Sequence, residues 1–104
     1  MNEAELQKAE ENRAIRGYII RCLIKGHNNS ALVRHISNAL LFEGMIMSPD
    51  ISKYITYLVD GGYIEFTNKK IKTYTVFAGD AVIRLTNKGV NLAEGDLLDP
   101  GVEM

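Results

Sequence analysis

Apolar residues recur every three or four positions over the first quarter of the chain, beginning at Leu6. This spacing predicts a long first helix over residues 3–25, which Gly26 ends. Charged and polar residues dominate positions 1–12, so we expect this part of the helix to extend beyond a core that starts near Ala14.

Two shorter helices are predicted next, joined by a tight connection. Residues 27–30 form a polar loop in which Ser30 serves as the N-cap of a second helix, over about residues 31–42. The triplet 48–50, Ser-Pro-Asp, offers a capping hydroxyl, a proline at the first helical position and a carboxylate in the first turn. We therefore expect a third helix to start there and to end at the glycine pair 61–62.

The apolar period changes from about four to two after the third helix. Residues 63–67 and 71–77 alternate as strands do, and the basic turn 68–70 joins them. Residues 81–85 are predicted as a third strand. A short last helix, capped by Thr86 or Asn87, follows through about Glu94.

A chain of 104 residues with 46% hydrophobic content fits one globular domain. We assign the domain to residues 1–95 and an irregular acidic C-terminal tail to 96–104. No apolar run reaches the length of a membrane span, and the start lacks a secretory pattern, so we expect a cytoplasmic protein. Cys22 is the single cysteine, which excludes an internal disulfide and a cysteine-cluster zinc site.

The formal net charge of −1 argues against nucleic acid at first sight. The charge is unevenly distributed, however: residues 1–12 and 90–104 are acidic, and the stretch between them is basic. A basic middle is compatible with DNA binding, although the same charges can be a solvated surface.

The predicted order is that of an α+β winged helix-turn-helix, with three helices, a β-hairpin wing and a short C-terminal helix. The third helix would enter the major groove, the wing tip would contact phosphates, and the start of the second helix would bind another phosphate. The candidate DNA-binding residues are Ser52, Lys53, Thr56 and Tyr57 on the third helix, Lys69, Lys70 and Lys72 on the wing, and Ser30.

Three phrases carry a family resemblance. Residues 57–64, YLVDGGYI, resemble the end of winged-helix recognition helices, and 83–89, IRLTNKG, resemble the entry to their last helix. Residues 85–95, followed by Pro-Gly-Val at 100–102, are similar to the C-terminus of small winged-helix proteins of Mu-like phages and prophages. The resemblance implies a winged-helix fold and a phage or prophage transcriptional regulator. The span 62–85 is several residues longer than in that family.

Other classes of function have less support. The chain has no catalytic motif, and we expect neither an enzyme nor a cofactor or metal site. The main alternative is an interaction module that binds a phage or host protein, with tyrosines 54, 57, 63 and 74 as anchors. Leu6 and Ala9, on an otherwise charged helical extension, predict a homodimer that buries them.

Overall fold

The computed structural model describes residues 2–67 and 81–104. Within these ranges the chain is α+β, with four α-helices and one three-stranded antiparallel sheet. In chain order the elements are α1 (Glu3–Lys25), β1 (Ser30–Leu32), α2 (Val33–Phe42), α3 (Ser52–Asp60), β2 (Ile64–Phe66), β3 (Val82–Leu85) and α4 (Asn87–Glu94), with a 3-10 turn at His27–Asn29.

The first helix has the predicted bounds. The side chain of Asn2 caps it by accepting a hydrogen bond from the Glu5 amide at 2.9 Å, and Gly26 follows its last residue. Residues 3–8 are exposed, and Ile15 is the first buried side chain. Burial thus begins one residue after Ala14, the predicted start of the core.

The strand β1 was not predicted. It pairs with β3 in the register Ser30 to Arg84, and the sheet order is β1-β3-β2. The prediction of Ser30 as the N-cap of the second helix is wrong, because α2 begins at Val33. The Val33 amide instead donates to the carbonyl of Ala81 at 2.9 Å, so pairing with a distant strand sets the start of α2.

The connection between α2 and α3 covers residues 43–51 and is longer than predicted. The predicted helix start at 48–50 is also wrong, because α3 begins at Ser52. The buried hydroxyl of Ser37 donates to the Pro49 carbonyl at 2.6 Å, which holds the proline in the connection. The cap-like acceptor is Asp50, whose carboxylate accepts from the Ser52 amide at 2.9 Å.

In the described part of the second half, two of the predicted strands and the last helix are present in the predicted order. Strands β2 and β3 pair antiparallel, with Ile64 opposite Leu85. The predicted strand 71–77 lies outside the described residues. Thr86 caps α4 as expected, since its hydroxyl oxygen accepts from the Gly89 amide at 3.1 Å.

The core lies between α1, α2, α3 and one face of the sheet, and α4 covers its end. Apolar side chains from every α-helix and every strand except β1 are buried in it. Residues 95–104 form no helix or strand, as predicted for the tail, yet Val102 is only 5% exposed. The tail therefore packs as part of the domain. The largest fully buried side chains among the described residues all lie outside the tail, and they are Ile19, Ile20, Leu23, Ile36, Leu40, Ile51, Ile55, Leu58, Ile64, Ile83 and Leu92.

Candidate nucleic-acid interface

The exposed face of α3 is determined by the side chains that this helix buries. Tyr54, Ile55 and Leu58 enter the core. Because a helix turns through about 100° per residue, the opposite face carries Lys53, Thr56 and Asp60. Lys53 is exposed and Thr56 is half-buried, so two of the predicted contacts share this face.

Asp60 is an acidic residue on the same face, and it is exposed. The Lys53 ammonium lies 5.0 Å from the centre of the Tyr54 ring, a distance at which a cation and a ring attract each other. The described face of α3 thus presents one cation and one carboxylate, and any excess positive charge in a DNA interface has to come from neighbouring elements.

Ser52 lies at the start of α3 and is already hydrogen-bonded. Its hydroxyl donates to the Asp50 carboxylate at 2.5 Å, and its amide donates to the same oxygen. These two bonds hold the pKa of Asp50 below its usual range. Ser52 therefore stabilises the first turn, and its hydroxyl oxygen remains as an acceptor.

Tyr57 lies at the edge of the exposed face and is half-buried. The Arg16 guanidinium stacks 3.8 Å from its ring centre, and the Tyr57 hydroxyl is 3.4 Å from a carboxylate oxygen of Asp99. The sequence pattern missed both partners, because they lie far from Tyr57 in the chain. Tyr57 joins α3 to α1 and to the C-terminal tail.

A lysine that was not predicted borders the end of α3. Lys88 donates to the Gly61 carbonyl at 2.8 Å and lies 5.0 Å from the centre of the Tyr63 ring. This ammonium lies at the end of the helix where the backbone carbonyls leave partial negative charge. The sequence alone does not show that Lys88 lies beside the glycine pair 61–62, because this requires knowing that α4 packs against the end of α3.

The remaining predicted contacts lie elsewhere. Ser30 is in β1, where its hydroxyl donates to the His27 carbonyl at 2.8 Å, so Ser30 does not stand at the start of α2, where it was predicted. Lys69, Lys70 and Lys72 lie outside the described residues. In the sequence these lysines lie between β2 and β3. The described pairing of β2 with β3 extends to the hydrogen bond from the Thr67 amide to the Val82 carbonyl.

Two large apolar side chains are exposed close to the α2–α3 connection. Phe42 is 90% exposed at the end of α2, and Met47 is 98% exposed. Met47 borders a groove that Ile15, Met45 and Tyr54 also line. Tyr54 and Tyr63 are buried, and buried side chains offer a partner protein little surface. Their burial does not support the prediction that they anchor an interface.

Among the described residues, no group of three histidine, cysteine or acidic side chains could hold a metal ion. No helix within residues 2–67 and 81–104 has the length and apolar content needed to cross a bilayer. The half-buried Cys22 packs against the core, and burial raises the pKa of its thiol.

Comparison of the chain with models of protein families, with curated proteins and with solved structures gave no match.

Proposed function

We propose that this protein is a winged helix-turn-helix module that binds duplex DNA through α3, as a transcriptional regulator of a phage or prophage. The order of the elements supports this proposal. Two consecutive helices, α2 and α3, are followed directly by an antiparallel pair of strands, β2 and β3. In winged helix-turn-helix proteins a recognition helix is followed by a β-hairpin wing, and the described order of elements is compatible with that arrangement.

The exposed face of α3 is the observation that carries the proposal. The helix has nine residues, from Ser52 to Asp60, and buries only one side. Its opposite face offers the Lys53 ammonium and the Thr56 hydroxyl, which are groups that hydrogen-bond to base edges and phosphates. Three lysines in the segment after β2, residues 69, 70 and 72, would supply phosphate contacts beside it.

Base recognition by α3 predicts two separable classes of variant. Lys53→Ala and Thr56→Ala should each change the order in which the protein prefers a panel of duplexes. The double variant Lys69→Ala with Lys70→Ala should weaken the affinity for all duplexes alike. It should also reduce the slope of log affinity against log salt concentration by up to about two units.

Fluorescence anisotropy on a panel of labelled duplexes, at several salt concentrations, measures both effects. Lys25→Ala is the matched control, because Lys25 is exposed at the far end of α1 and belongs to neither predicted contact group. If the wild type binds no duplex at low salt, the proposal is wrong.

A second candidate function is a protein-interaction module. The exposure of Phe42 and Met47 near the α2–α3 connection supports it, because exposed aromatic and methionine side chains are enriched at protein interfaces. Under this alternative, Phe42→Ser should abolish partner binding. Under the DNA proposal, the same change should leave duplex affinity within about twofold of the wild type, since it removes no phosphate contact.

A further inference from the structure

The C-terminal strap, defined as residues 97–103, lies across α1 and uses mainly its backbone to bind there. The Arg16 guanidinium donates to the Gly101 carbonyl at 3.0 Å, and Arg21 donates to the Glu103 carbonyl at 3.3 Å. The Glu103 amide donates to the carbonyl of Arg13 at 3.1 Å. Two arginines of α1 are thus engaged by the strap.

The strap also contacts α3 through one carboxylate. Asp99 accepts hydrogen bonds from the Tyr63 hydroxyl at 2.5 Å and from the Tyr57 hydroxyl at 3.4 Å. It accepts a third from the Gly101 amide, at 2.7 Å, which shapes the turn of the strap. Because Tyr57 is on the edge of the exposed face of α3, the strap borders the proposed DNA-binding surface.

Two glycines allow the strap to come this close. A Cβ added to Gly17 would lie 1.8 Å from the Glu103 carbonyl oxygen, and one added to Gly101 would lie 2.0 Å from the Tyr57 hydroxyl. Glycine inside a helix is less favourable than alanine. The docked strap accounts for Gly17 in the middle of α1, because it leaves no room for a side chain there.

Docking affects the charge that a duplex would meet. Arg16 lies against Tyr57 and its guanidinium donates to the strap, while Asp99 adds a carboxylate at the same edge of α3. A carboxylate beside a phosphate-binding surface repels DNA, and an arginine already held by a carbonyl is less able to reach a phosphate.

We propose that the strap is an autoinhibitory latch on DNA binding. While it is docked, it holds Arg16 and keeps Asp99 beside α3. When it leaves, Arg16 becomes an additional phosphate contact at the edge of the recognition helix. This inference rests on the proposed DNA-binding function and adds a means of regulating it.

Gly17→Ala and Gly101→Ala test the latch from opposite sides of the contact. The methyl group added at Gly17 would clash with Glu103 of the docked strap, and the one added at Gly101 would clash with the Tyr57 side chain. Neither variant changes the net charge. Gly17→Ala is the cleaner test, because its methyl group meets no candidate DNA-binding residue, whereas Gly101→Ala acts against Tyr57. Alanine also favours the helix at position 17, so α1 should remain folded in that variant. Faster hydrogen exchange at the Glu103 amide, which is bonded to Arg13 when docked, reports release of the strap.

We expect both variants to release the strap and to bind duplex DNA at least about threefold more tightly at low salt, with a salt slope steeper by about one unit. Adding Arg16→Gln to Gly101→Ala should cancel the gain. Asp96→Asn is the charge control, because it removes a negative charge from the exposed turn before the strap. It should produce a smaller gain and leave the Glu103 exchange rate unchanged.

The possible failures are distinguishable. If the wild type binds DNA and the released variants bind no more tightly, the latch is wrong and the proposed function stands. If neither variant exposes the Glu103 amide, the latch is wrong for structural reasons. If neither the wild type nor a released variant binds any duplex, the proposed function and the latch are both wrong.

Discussion

Asp50 takes the capping role that the sequence pattern predicts for Ser48. The Ser48 hydroxyl accepts only a hydrogen bond of 3.4 Å from the Asp50 amide, whereas Asp50 accepts two shorter ones from Ser52. Asp50→Ala should therefore lower the free energy of unfolding by about 1 kcal/mol, as loss of a helix cap does. Ser48→Ala should stay within about 0.5 kcal/mol of the wild type.

Urea unfolding of the two variants, followed by circular dichroism, measures this difference. Lys53→Ala provides a surface control on the same helix and should also remain within about 0.5 kcal/mol. A larger loss for Ser48→Ala than for Asp50→Ala would contradict the start of α3 at Ser52.

Tyr63 and Asp99 make the stability of the strap depend on pH in both directions. The hydrogen bond to Asp99, together with burial, raises the pKa of Tyr63 to about 12. The same bond lowers the pKa of Asp99. The Tyr63 contribution is complete below its unfolded pKa of 10.0 and is lost as the pH rises to about 12. The Asp99 contribution is present above the ordinary carboxyl pKa of about 3.9 and is lost as the pH falls through its lowered value.

Tyr63→Phe should consequently be less stable than the wild type at pH 7 but lose less of its stability between about pH 10 and 12. Urea midpoints at both ends of this range give the comparison. Tyr18, whose pKa burial also raises, is present in both proteins, so its effect cancels. If the two proteins lose the same amount of stability between about pH 10 and 12, the Tyr63–Asp99 hydrogen bond does not stabilise the fold.

How well the ends of each helix could be predicted from the sequence depends on whether neighbouring residues or distant parts of the chain fix those ends. The bounds of α1 and α4 follow from apolar periodicity and from local residues such as Gly26 and Thr86. The start of α2 depends on a distant partner, the carbonyl of Ala81, and the side chain of Ser37 holds the connection before α3. A local pattern contains neither contact, although the cap-like acceptor of α3, Asp50, is local.

Strand β1 and the docked strap were missed for a related reason. Three residues, Ser30–Leu32, are too few to show a period, and they become a strand because β3 lies beside them. The strap has no regular structure, and only Gly17, a glycine inside a long helix, could have signalled that backbone approaches α1 there. Of the candidate site, the sequence indicated the α3 face, whereas Arg16, Lys88 and Asp99 required the fold.

The N-terminal turns of α1 carry the prediction of a homodimer. Residues 3–8 are exposed, and Leu6 is 48% exposed on them, so this part of the helix gains little from its own domain. We expect a dimer at tens of micromolar in sedimentation velocity. Leu6→Lys keeps the helix propensity and should shift the protein toward monomer. Gln7→Lys is the control, because Gln7 is also exposed but lies on another side of the helix, and it should leave the dimer unchanged. A wild type that sediments as a monomer would contradict the prediction.

At the scale of the whole molecule, the distribution of charge decides between the two candidate functions. The net charge is only −1, so under the proposed function attraction to DNA would depend on local positive charge: Lys53 on α3, the lysines at 69, 70 and 72 and, if the strap is released, Arg16. A protein interface formed around Phe42 and Met47 does not need that charge, and its affinity would respond little to salt.

The most direct test of the proposed function is the salt dependence of duplex binding by the wild-type protein. Binding through phosphates releases counterions, so the affinity should fall at least about tenfold between about 50 and 200 mM salt. Titration of a labelled duplex at several salt concentrations across this range measures the slope. A steep loss of affinity is the predicted result. Absence of binding at the lowest salt, or an affinity that does not change with salt, would contradict the proposal that this protein binds duplex DNA.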